Sequence, residues 1–125
     1  MSEKRTILII DDNRYVRKIL CDFFKLSGFK VYSLNDGIAA LSLLKNEHFD
    51  IIITDYSMPE INGVELTRIL RIQYPQTLII GISADCNEMD FLDAGADAFF
   101  NKPFNPRELL STIQQNTQKI SSDNS

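Results

Sequence analysis

Five short apolar runs, each followed by a stretch with helical periodicity, restrict this chain more than any other feature. They are TILII (6–10), KVYSL (30–34), DIIIT (50–54), LIIGIS (78–83) and DAFFN (97–101). The first, third and fourth are nearly continuous Ile and Leu, as in parallel strands covered by helices on both faces. KVYSL alternates more and DAFFN is short, so both suit sheet edges. In the first helical segment Val16, Ile19, Leu20, Phe23 and Leu26 mark an apolar face that Ser27-Gly28 ends. Ile38, Leu41 and Leu44 mark the second, after Asn35-Asp36. Asn62 and Glu65 have the spacing of a capping box; Leu66, Ile69 and Leu70 follow, up to Tyr74-Pro75. Met89 and Leu92 mark a shorter fourth helix that stops at Gly95. Pro106 opens a fifth, with Leu109, Leu110, Ile113 and Ile120.

The order is therefore (βα)₅, an α/β chain. Five units are too few to close an eight-stranded barrel, so an open doubly wound parallel sheet in the order 2-1-3-4-5 is expected. A hydrophobic share of 44% over 125 residues is enough to bury a core without metal or disulfide staples. One domain is expected over 1–125, with its core at about 6–120 and a polar tail SSDNS at 121–125. The formal charge of -4, from 17 acidic and 13 basic residues, argues against a broad nucleic-acid or anionic-membrane footprint. No apolar run is long enough for a signal peptide or a membrane span. Cys21 and Cys86 form no C-x-x-C, sit in helical contexts and read as reduced thiols of a cytoplasmic protein.

The strand ends carry the chemistry. In this strand order the winding reverses between strands one and three, and ligands bind beyond the carboxyl ends of the strands there. Strand one ends in Asp11-Asp12 and strand three in Asp55. Two unit charges about 4 Å apart repel by roughly 4 kcal/mol at an effective dielectric near 20. Three carboxylates therefore call for a cation, and hard oxygen ligands suit Mg²⁺ (or Mn²⁺) over zinc. Asp12 or Asn13 could instead simply cap the following helix, the commoner use of such residues. Strand four delivers the hydroxyl of Ser83 to the same rim and strand five the ammonium of Lys102. A metal, a hydroxyl and an ammonium are what a phosphoryl group on a carboxylate needs around its oxygens.

Asp11-Asp12, Asp55 with Met58-Pro59 and Gly63, Ser83-Ala84 and Lys102-Pro103-Phe104 together resemble the receiver domain of two-component response regulators, of the chemotaxis-regulator kind. The resemblance runs from about Thr6 to Ile120 and implies a flavodoxin-like fold. It implies that Asp55 takes a phosphoryl group from a phosphohistidine on a histidine kinase or phosphotransferase partner. Asp11, Asp12, Asp55 and the backbone carbonyl of Ser57 would hold Mg²⁺; Ser83, Ala84 and Lys102 would contact the phosphoryl group. The Lys102–Pro103 bond is expected to be cis. Ser83 and Phe99 would form the switch, and Ser57 and Asp85 would tune the lifetime of the phosphorylated state. The face of helix four, strand five and helix five would be the output surface toward a downstream protein, or toward a second copy in a homodimer. Arg14 and Tyr56 flank the pocket and are expected to be solvated, as is His48, the sole histidine.

The chief alternative is a Mg²⁺-dependent phosphatase of the haloacid-dehalogenase type. It requires an acid two residues after the nucleophile, where Ser57 stands. A flavodoxin-like cofactor binder would offer hydroxyls and N–H groups to phosphate in its first loop, where Asp11-Asp12 repel it. A receiver that has lost phosphorylation is disfavoured because every motif position holds a competent residue.

Overall fold

The computed structural model describes residues 4–85 and 87–116. Its elements run β1 (Thr6–Ile10), α1 (Arg14–Leu26), β2 (Lys30–Leu34), α2 (Gly37–Leu44), β3 (Ile51–Asp55), α3 (Gly63–Gln73), β4 (Leu78–Ser83), α4 (Glu88–Ala94), β5 (Ala98–Asn101) and α5 (Pro106–Gln115). The strands form a parallel sheet in the order β2-β1-β3-β4-β5. β1 sets Thr6 opposite Lys30 on one side and Ile7 opposite Ile51 on the other. The winding thus reverses between β1 and β3, and the alternating β2 and short β5 lie at the edges, as their sequences indicate. Cys86, Ile120 and the tail 121–125 lie outside the described residues.

Period-two alternation divides each buried strand between two cores. Leu8, Ile10, Ile52 and Ile79 face α2, α3 and α4, where they meet Ala40, Leu44, Leu66, Leu70 and Phe91. Ile7, Ile9, Ile51, Ile53, Ile80 and Ile82 face α1 and α5, where they meet Leu20, Phe24, Leu109 and Ile113. Each such side chain contributes about 1.5–3 kcal/mol when fully buried. With both faces covered, the carboxyl edge of the sheet is where loops can present polar groups.

The helical periodicity located the helices but misplaced parts of their buried stripes. On α1, Leu20 and Phe24 are fully buried, while Ile19 and Leu26 are exposed. On α2, Ala40 and Leu44 are buried and Ile38 is exposed. On α4, Met89 and Leu92 face outward, and Phe91 and Ala94 enter the core. Apolar residues adjacent in sequence point about 100° apart on a helix, so which of them is buried depends on how the helix is rolled onto the sheet. The expected capping box is present: Asn62 Oδ1 accepts from Glu65 N at 2.8 Å, and Glu65 Oε1 from Asn62 N at 2.9 Å.

One side chain ties three of these elements together. The Arg71 guanidinium of α3 donates to the carbonyls of Gly95 (2.8 Å) and Thr77 (2.9 Å) and pairs with Asp97 Oδ2 at 2.7 Å. The same Asp97 oxygen accepts from Ile79 N of β4. Because these bonds are charge-assisted and largely shielded, Arg71→Ala is expected to cost roughly 2 kcal/mol, read from the urea midpoint at unchanged slope. Arg71→Lys should recover little, because an ammonium cannot span the same fork of acceptors.

Candidate functional site

The chain leaves β1 directly into Asp11, which is fully buried. Its position is fixed from three sides. Its N–H donates to the Leu34 carbonyl at 3.1 Å, and its Oδ1 accepts from Asn13 N at 2.9 Å. Arg17 Nη1 donates to its carbonyl at 2.8 Å. Asn13 is the N-cap of α1, its side chain accepting from Tyr15 N and Val16 N. The capping use of this stretch therefore falls to Asn13, which leaves both aspartates free of it. Asp12 is exposed. Asp55 ends β3 with its side chain only 5% exposed. Because β1 and β3 are neighbours, one oxygen each of Asp11, Asp12 and Asp55 lies within 4.8 Å of the others.

Lys102, in the loop after β5, bridges two of these groups. Its Nζ is 2.9 Å from Asp11 Oδ2 and 3.1 Å from Asp55 Oδ1. Three carboxylates against one ammonium leave two formal negative charges. Burial, then the charge of Asp11, raises Asp55 from the usual 3.8 to about 6, against the opposing pull of Lys102. Burial works against the charge of Lys102, but its contacts with Asp11 and Asp55 outweigh it and raise the lysine above its ordinary value.

Ser83 ends β4, buried. Its hydroxyl donates to Asn87 Oδ1 at 2.7 Å and accepts from Asp85 N at 3.0 Å. Its carbonyl accepts from Lys102 N at 2.8 Å, which ties the two strand-end loops together. The Lys102–Pro103 peptide is cis. Ala84, Lys102, Pro103 and Phe104 border a cavity of about 410 Å³ against Val16 and Ile19 of α1. Phe99 is half-buried, its ring centroid 5.6 Å from that of Phe91. Ser57 and Asp85 are exposed on the loops after β3 and β4.

The structure therefore brings Asp11, Asp12, Asp55 and Lys102 to one point and turns the Ser83 hydroxyl toward the start of α4. Tyr56 departs from expectation. It is half-buried against the α2–α4 core, its ring 6.4 Å from that of Phe91, because the chain turns inward after Asp55. Arg14 is exposed, and so is His48, which lies 3.4 Å from Asp50. Sequence reasoning missed Arg17 and Asn87. An arginine six residues after an aspartate carries no signature. An asparagine opening a helix suggests a cap, which Asn87 does not provide.

The donor set suits a hard divalent cation. Asp11 Oδ2 is buried without a hydrogen-bond donor; the Lys102 ammonium is near enough to pair with it but poorly aligned for a hydrogen bond. Among the described residues the cluster holds carboxylate oxygens and no imidazole or thiolate, which fits Mg²⁺ or Mn²⁺ and not zinc.

Comparison with known proteins extends the same pattern. A family model described as the response regulator receiver domain matches residues 7–114. The transcriptional regulatory protein CpxR of Escherichia coli K12 is 38% identical over 111 residues, covering 86% of this chain and 47% of CpxR. The chain thus spans about half the length of the curated relatives it matches. A CheY-like receiver domain protein from Methanospirillum hungatei has a solved structure with a TM-score of 0.90 at 27% identity, over 97% of this chain and 99% of that one. The response regulator TrrA of Thermotoga maritima, solved in complex with Mg²⁺–BeF, gives a TM-score of 0.82 at 27% identity, over 89% and 97% of the two chains. Among the described residues no helix is long and apolar enough to cross a membrane. The sheet order, the acidic strand ends and the family match lead to one conclusion: this chain belongs to the response regulator receiver domain family.

Proposed function

We propose that Asp55 is a phosphoacceptor, charged by a phosphohistidine on a histidine kinase or phosphotransferase partner in a Mg²⁺-dependent reaction. The observation that carries this reading is the Lys102 ammonium held between Asp11 and Asp55, 2.9 and 3.1 Å away, in a cluster with excess negative charge. Such a cluster is poised to exchange carboxylate–ammonium contacts for a cation and a phosphoryl group. Asp11 and Asp12, with Asp55 and the Ser57 carbonyl, are the groups that would hold Mg²⁺. When bound, the ion supplies positive charge against the carboxylates and the phosphoryl oxygens.

The chain's own residues supply the rest. An Asp55 oxygen forms the O–P bond as the P–N bond of the phosphohistidine breaks, and that electron pair leaves with the imidazole. The nucleophile must be ionised, which a carboxyl near 6 satisfies at neutral pH. The fixed backbone of Asp11 and the tether from Lys102 N to Ser83 O hold the surrounding groups in place, so that positioning and charge neutralisation carry the reaction. Lys102 then serves as counter-ion to the new phosphoryl oxygens, with Ser83 and the Ala84 backbone beside them. The half-buried Phe99, beside Phe91, is the ring that follows Ser83. Asp85 and Ser57 border the approach of a hydrolytic water. The α4–β5–α5 face, with Met89 68% exposed, is the output surface toward a protein target or a second copy.

The test is incubation with phosphoramidate and Mg²⁺. A gain of one phosphoryl mass that is labile to hydroxylamine and lost with EDTA is expected; turnover of phosphomonoesters without a retained phosphoryl group would favour the phosphatase reading instead. Lys102→Ala is expected to keep Mg²⁺ affinity, since it deletes a competing cation, but to blunt the beryllofluoride-induced NMR shifts at Ser83 and Phe99. Equal shifts in that variant would remove Lys102 from the switch.

A further inference from the structure

Asn87 stands at the N-cap of α4, yet its side chain caps nothing there. Asparagine is among the preferred N-cap residues, and replacing such a cap by Ala typically costs about 1 kcal/mol. Here that use is forgone: Asn87 Oδ1 accepts instead from the Ser83 hydroxyl at 2.7 Å. The hydroxyl is buried, and its second bond, from Asp85 N at 3.0 Å, also lies on the loop side. A hydroxyl has a single proton to donate, so Ser83 cannot donate to Asn87 and to a phosphoryl oxygen at once.

We propose that Asn87 is a positioning residue that acts through Ser83: it holds the hydroxyl in the resting orientation and thereby sets the phosphoryl affinity of the switch. This rests on the phosphoacceptor reading of Asp55. When Ser83 turns to a phosphoryl oxygen, the Ser83–Asn87 bond must break, so this hold opposes phosphoryl binding. The equilibrium is a choice of one donor between two acceptors, which a small change in either acceptor can bias.

The test has two parts. In the free protein, side-chain couplings of Ser83 should report one rotamer in wild type and averaging in Asn87→Ala; a single rotamer kept in Asn87→Ala overturns the proposal, whatever the phosphoryl chemistry. With Mg²⁺ and beryllofluoride, Asn87→Ala should bind the phosphoryl mimic roughly two- to tenfold more tightly, the worth of one net hydrogen bond. That gain should vanish in a Ser83→Ala background. Unchanged or weaker binding in Asn87→Ala, or an equal gain without Ser83, overturns the proposal. A wild type that ignores beryllofluoride altogether instead refutes the phosphoacceptor reading, and the free-state couplings still judge the Ser83–Asn87 hold.

Discussion

An Asp55→Asn variant is expected to accept no phosphoryl group and at the same time to fold more stably than wild type at neutral pH. The first effect follows from chemistry: an amide oxygen is a poor nucleophile, and loss of a sole nucleophile costs at least about a thousandfold in rate. The second follows from the site's electrostatics. Below about 3.8 the carboxyl is protonated in the folded and the unfolded chain alike and costs nothing. Between 3.8 and about 6 the folded chain still holds a proton that the unfolded chain has released, so stability falls as the pH rises. Above about 6 the deficit is constant. Roughly two pH units at 1.36 kcal/mol each put it near 3 kcal/mol at most, with the loss of the Lys102 contact in the variant reducing the net gain. Urea denaturation at pH 4 and pH 7 tests this. The advantage of the variant over wild type should be small at pH 4 and largest at pH 7, and Mg²⁺ should narrow it by stabilising wild type. An advantage that does not change with pH would mean that Asp55 is not strained by its neighbours.

The second large effect is expected from Gly63→Ala. Gly63 opens α3, and its N–H donates to the Tyr56 carbonyl at 2.9 Å while its own carbonyl accepts from the Thr67 hydroxyl at 2.7 Å. A Cβ there would overlap the Asp55 backbone oxygen, lie 2.8 Å from the Asp55 carbonyl carbon and lie 2.9 Å from the Phe91 ring. The first two are main-chain atoms at the end of a buried strand, so no rotamer change can relieve the clash. Destabilisation of about 3 kcal/mol or more is expected. Because the displaced residue is Asp55 itself, phosphorylation should fall further than stability explains, when both are measured in a variant still folded at low temperature. Gly81→Ala makes a useful contrast. There the atoms nearest the Cβ all belong to the Phe91 side chain, so the cost should reach stability and the packing near Phe99 without moving the Asp55 backbone. Equal phosphorylation in wild type and Gly63→Ala would show that the close approach of α3 is not what fixes Asp55.

The period of the apolar residues determined the (βα)₅ order, the two edge strands and the strand ends where the chemistry lies. Strand and helix repeats differ, and a strand buried on both faces has little choice of neighbour. Local rules equally determined the Asn62–Glu65 box, whose partners are three residues apart. Tertiary structure alone decided which apolar residues of α1 and α4 are buried, because two adjacent candidates differ only by the roll of the helix. It alone set Arg17 on the Asp11 carbonyl and Asn87 on the Ser83 hydroxyl, and drew Tyr56 inward. A residue type fixes which bonds a side chain can make. Only the fold decides which partner comes within about 3 Å, and so which of them is made.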